Sequence, residues 1–147
     1  MLRLVAVDRQ AAPISTMRSL WQKVLEISVR LEGINAFTMD PTPEMGRRTR
    51  HTLEDEALLR DLGLDAGHKG KLLPLGGAHS ILAEIGPRVL SISLYADSKW
   101  VGGISDWGDG ISALFDEEAY SQLMAAIQSL GVVVGVDVAE VTSRPSV

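Results

Sequence analysis

The chain has 147 residues, of which 46% are hydrophobic, 22% charged and 5% aromatic, and it carries no cysteine. That length fits one ordinary domain with a sizeable core, and the apolar share is too high for a disordered chain. The missing cysteine excludes a disulfide scaffold, a cysteine-ligated zinc or iron–sulfur centre and thiol catalysis. No apolar run reaches the roughly 18 residues that a membrane span needs, and the first residues lack a signal-peptide pattern, so a cytoplasmic protein without membrane contact is expected.

In chain order, residues 2–7 read as a short strand. Pro13 suits a first helical position. From there Ile14, Met17, Leu20, Trp21, Val24, Leu25, Ser28 and Leu31 keep the rhythm of an amphipathic helix, closed by Gly33. Residues 33–51 have no periodicity and contain Pro41 and Pro43, so a long loop is expected there. Thr52 with Asp55 has capping-box spacing, and Leu53, Ala57, Leu58 and Leu62 give a short helix its apolar side. A glycine-rich connector is expected over 63–79.

Three strands are expected next, over 80–85, 88–95 and 99–105. In the second, Leu90, Ile92 and Leu94 alternate with Ser91, Ser93 and Tyr95. Asp109-Gly110 is a hairpin dipeptide suited to positive φ, and it leads into a strand over 111–115. Asp116 is placed to cap a helix striped by Tyr120, Leu123, Met124, Ile127 and Leu130, with Phe115 and Tyr120 spaced as a hydrophobic staple. Gly131 ends that helix. Val132, Val134, Val136 and Val138 then alternate as a last strand, and 143–147 form a short tail. The expected order is β-α-α-β-β-β-β-α-β. It describes a single α+β domain over 1–147, with a mainly antiparallel sheet of about five to six strands and helices packed on one face.

Most motifs of catalysis fail on their residues. A phosphate loop over 63–72 would need a glycine where Asp65 stands and a hydroxyl where Leu72 stands. A calcium loop beginning at Asp97 puts Lys99 and Val101 at ligand positions and Gly108 where a glutamate is required. His51, His68 and His79 are the only histidines and do not have the spacing of a helical zinc pair. No Gly-x-Ser-x-Gly elbow occurs. Arg47, Arg48 and Arg50 make a small basic patch without interleaved aromatics, which disfavours nucleic-acid binding.

Charge is distributed unevenly. Residues 1–79 hold 11 Lys/Arg against 10 Asp/Glu, whereas 80–147 hold 3 against 9. The net charge of −5 therefore belongs to the second half. Trp107 stands beside Asp106 and close to Asp109 in a turn, a composition suited to an interaction anchor ringed by steering charges. Trp100 reads first as a packed strand residue. These features point to a small acidic, non-catalytic binding protein that neutralises a macromolecular partner with a basic surface, such as an immunity or inhibitor protein for a bacterial toxin or nuclease. Its expected contact set is Asp106, Trp107, Asp109, Asp97, Trp100, Glu84, Asp116 and Glu117, with no cofactor and no metal. The alternatives are an assembly subunit that forms a homo-oligomer through an exposed strand edge, a phage-type anti-defence inhibitor, and an enzyme whose site joins His79, Asp106 and Asp109.

Overall fold

Alternation of large apolar and small or polar residues, seen in sequence over 91–95, runs through the central strands and gives the sheet a continuous apolar face. The computed structural model describes residues 1–43, 53–64 and 69–147. Its strands are β1 (Leu2–Asp8), β2 (Ala36–Asp40), β3 (Leu73–Pro74), β4 (Ser91–Ala96), β5 (Lys99–Ser105), β6 (Gly110–Phe115) and β7 (Gly135–Val141). They form one antiparallel sheet in the order β3-β2-β4-β5-β6-β1-β7. The helices are α1 (Ile14–Leu31), α2 (Leu53–Asp61), α3 (His79–Ile85) and α4 (Glu117–Gln128). None of them is long and apolar enough to cross a membrane. The fold is α+β, as the clustering of strands implies.

The register puts Val5 and Val7 of β1, Ile111 and Ala113 of β6, Ile104 of β5, Ile92 and Leu94 of β4, and Phe37 and Met39 of β2 on the same face. All are buried in one core cluster. Onto that face α1 lays Met17, Leu20, Trp21, Val24, Leu25 and Ile27. It packs on β5 and β6 and touches α3 and α4, while α2 packs on α3. The helices therefore form one layer. Trp21 is fully buried, and its indole N–H donates to the Leu82 carbonyl at 2.9 Å. Burying an indole contributes about 4–6 kcal/mol before conformational entropy is counted. A Cβ on Gly86 would stand 2.3 Å from the indole nitrogen, so the close approach of this turn to α1 requires glycine.

Several elements differ from the sequence reading. The stretch 33–51 contains β2, whose Phe37 and Met39 point into the core; residues 44–51 of that stretch, and Thr52 of the capping box, lie outside the described residues. The connector 63–79 contains β3, and residues 80–85 are helical rather than extended. In α3 the buried side chains are Leu82 and Ile85, three apart, which is helical spacing. A run this short is compatible with either period, and packing against α1 decides it. Among the described residues the sheet consequently has seven strands. Pro13 occupies the position just before α1, with no side-chain cap hydrogen bond, rather than its first turn, and the last strand begins at Gly135. Asp116 does cap α4, accepting the Ala119 N–H at 3.0 Å.

Two ion pairs tie distant segments together. Asp55 of α2 is fully buried and lies 2.8 Å from Arg88, in the short 3-10 turn Gly86–Arg88 that follows α3. Arg144 lies 2.8 Å from Glu32 at the end of α1, and it also donates to the carbonyls of Trp100 and Leu114. The tail is thereby docked. Trp100 N–H donates to the Pro145 carbonyl at 2.9 Å, and Lys99 bridges to Ser146, beside the part of β5 that lies beyond its pairing with β6. Burial pushes the Glu32 carboxyl above the ordinary range, although the Asp116 amide and Arg144 pull against it.

Arg144→Met therefore removes the cation from a largely buried carboxylate. The loss of stability should be about 3 kcal/mol or more near neutral pH. A raised carboxyl favours the protonated folded state, so the deficit should shrink as pH falls through the raised value toward about 4. Urea unfolding of both proteins across that range checks the sign, and a deficit that grows toward acid would contradict it.

Candidate functional site

The antiparallel register brings the end of β1, the start of β6, the end of β5 and the start of β7 to one end of the sheet, with Asp8 opposite both Gly110 and Gly135. Alternation then assigns Ala6, Asp8, Ser112 and Asp137 to the face without helices, opposite to Val5 and Val7. There they meet Asp106 and Asp109 from the β5–β6 connection. The result is a cleft of about 260 Å³ whose floor is Ala6, Gly110 and Ser112, and whose walls carry the carboxyls of Asp8, Asp106, Asp109 and Asp137. Small floor residues make the concavity, and carboxylates supply its sign.

Among the described residues, one base stands at the rim. Arg9 lies 3.2 Å from Asp109, but its Nε is committed to the Ala12 carbonyl at 2.7 Å. The Arg9 amide also donates to the Asp109 carbonyl at 2.8 Å, fastening the β5–β6 connection to the end of β1. Asp106 and Asp109 are exposed. Across the sheet end, Asp40 of β2 takes hydrogen bonds from the Thr42 hydroxyl at 2.6 Å and the Thr42 amide at 3.1 Å, and lies 3.3 Å from Lys69. Burial works to raise the Asp40 carboxyl, but these donors outweigh it and hold it below the ordinary range.

The connection itself is wound left-handed. Asp106, Trp107 and Gly108 have φ of 53°, 54° and 92°. Such a backbone costs about 1–3 kcal/mol per non-glycine residue and persists only where surrounding contacts over-determine it. Two contacts do so. Gly108 is buried where a Cβ would meet Ile14 at 2.8 Å and Pro87 at 3.1 Å, and the Trp107 indole N–H donates to the Thr42 carbonyl at 2.9 Å. The expected positive φ at Asp109-Gly110 is not observed, because the left-handed residues precede that dipeptide and Asp109 has φ −75°. The β4–β5 hairpin instead carries the left-handed pair, at Asp97 and Ser98.

The eight residues expected to contact a partner fall into three places. Asp106 and Asp109 line the cleft; Trp107 shares their turn, half-buried, with its indole N–H engaged by Thr42. Asp97, Trp100, Asp116 and Glu117 occupy the opposite end of the sheet, about 20 Å away along β5. There Asp97 exchanges hydrogen bonds with Asn35, Trp100 pairs across the strands with Tyr95, and Glu117 lies 3.5 Å from Arg3. Trp100 is half-exposed on the helix-free face rather than in the core. Glu84 sits on α3, 3.6 Å from Arg88.

Asp8 and Asp137 complete the cleft and are invisible to sequence reasoning. Their only signal is an acid at the polar phase of an apolar alternation, which ordinary solvated strands share. His79 is exposed at the start of α3 and does not line the cleft. His51, His68, Arg47, Arg48 and Arg50 lie outside the described residues. Among the described residues, no group of three or more histidines or carboxylates is placed to hold a metal ion. Comparison with known protein families, curated proteins and solved structures finds no match.

Trp107→Phe keeps an aromatic ring in the left-handed turn and removes the donor to Thr42. It should cost about 0.5–1.5 kcal/mol in thermal or urea unfolding. An unchanged midpoint would show that Gly108 and its neighbours hold the turn without that hydrogen bond.

Proposed function

We propose that this chain is a small, acidic, non-catalytic binding protein that neutralises a macromolecular partner by docking a basic surface into the cleft at the Asp8 end of the sheet. A bacterial toxin or nuclease domain is the partner class that fits this reading best, since such domains carry cationic substrate grooves. The observation that carries the reading is the convergence of Asp8, Asp106, Asp109 and Asp137 on one concavity where, among the described residues, Arg9 is the base at the rim. These residues come from β1, β7 and the β5–β6 connection.

The chemistry supports docking in three ways. Separate carboxylates around a shallow floor suit several guanidinium or ammonium groups, each taking its own acceptor. A concentrated field of one sign raises association rates with a cationic partner. A turn whose strain is held by packing presents Asp106 and Asp109 in one geometry, which reduces the ordering cost of binding. Binding of this kind occludes the partner's groove and asks no chemistry of the chain.

The test is co-expression and binding with a basic toxin or nuclease domain encoded in the same gene neighbourhood. The chain should restore growth and inhibit the domain in solution, with affinity falling steeply as salt rises. Replacing Asp106 and Asp109 together by Asn should weaken binding by about 10- to 100-fold at low ionic strength while thermal unfolding stays the same. Affinity indifferent to both salt and the double substitution would overturn the assignment.

A further inference from the structure

We propose that the outer edge of β7 is a strand-addition site, where an extended basic segment of the partner pairs as an eighth strand. The inference rests on the reading of the neighbouring cleft as a docking site for a cationic macromolecule.

The two edges of the sheet are built differently. β3 has two residues and ends in Pro74, which blunts that edge. β7 runs for seven residues in unbroken register with β1, from Gly135 opposite Asp8 to Val141 opposite Leu2. It contains no proline, lysine or bulge, and the charges it carries are the acids Asp137 and Glu140, the latter opposite Arg3 of β1. Residues 137–140 are exposed, Val138 to 44%. Alternate N–H and C=O groups of β7 face away from β1, and no described strand pairs with them.

The charge of this edge selects the occupant. Asp137 points to the helix-free face, where it lines the acidic cleft, and Glu140 points to the other face. Neither forms an ion pair among the described residues. A second copy paired antiparallel about Val138 would set the two Asp137 side chains on diagonal positions roughly 7 Å apart, with no cation between them. A basic strand has the opposite balance. Residues opposite Asp137 and Glu140 are three apart on the added strand, so the matching segment is Lys-x-x-Lys or its arginine equivalent, with β-branched residues between. Main-chain hydrogen bonds then supply affinity and the two cations supply register.

The experiment uses the full chain and the peptide acetyl-Thr-Val-Lys-Val-Thr-Lys-Val-Thr-amide, read by amide hydrogen exchange and titration. Alternate β7 amides should slow by about tenfold or more at saturation. Asp137→Asn with Glu140→Gln should weaken the peptide by about tenfold at low salt. The same peptide N-methylated at alternate residues should give no protection. Unprotected β7 amides, equal protection by the N-methylated peptide, or a concentration-dependent dimer of the chain that protects them without peptide would overturn the proposal. A basic protein that binds through Asp106 and Asp109 while β7 stays unprotected would defeat the edge and leave the cleft reading intact. Peptide protection with no basic partner sensitive to Asp106 and Asp109 would do the reverse.

Discussion

The one-sidedness of the sheet is the constraint from which the rest of the molecule follows. Away from the tail-docked end, where Leu4, Leu114, Tyr95 and Trp100 lie on the other face, its strands offer large apolar side chains to one face, so the helices collect there to remove Val5, Phe37, Ile92, Ile104 and Ile111 from water. Trp21 is the largest side chain in that layer, and the tight turn at Gly86 is shaped around it. Toward the cleft end, the opposite face carries Ala6, Ser91, Ser93, Gly103 and Ser112, short side chains that leave the backbone near the surface. A Cβ on Gly103 would come within 2.4 Å of the Ile92 carbonyl, so the middle of β5 is kept bare by contact with β4.

The acidic cleft is a product of that division. Carboxylates at the ends of β1 and β7 would be scattered surface charges on a helix-covered sheet. On a bare floor of Ala6, Gly110 and Ser112 they become the walls of a concavity. The β5–β6 connection adds Asp106 and Asp109, and the backbone strain of its left-handed turn over Asp106–Gly108 is borne by the packing of Gly108 against Ile14 and Pro87. The helix layer therefore supports the cleft from below without contributing a side chain to its walls. Charge elsewhere is organised differently. Asp55 with Arg88, and Glu32 with Arg144, are paired inside the protein and join separate chain segments, so these acids serve cohesion rather than recognition.

Legible along the chain alone are the α+β class, the helices α1 and α4, and the strands β1, β4, β5, β6 and β7. Each of these carries a long periodic pattern, or a cap such as Asp116, that local physics reads in only one way. β2 was hidden because Asp40-Pro41 dominates a five-residue strand with only two core side chains. α3 was hidden because seven residues of mixed apolar character satisfy either period until α1 presents a surface to pack on. Which acids stand together depends on contacts between distant segments. Asp8 and Asp106 are almost a hundred residues apart, and the acids gathered in the second half of the chain are divided between two ends of the sheet. Strand order and register create those neighbourhoods, and they arise from long-range pairing that no local pattern of residues encodes.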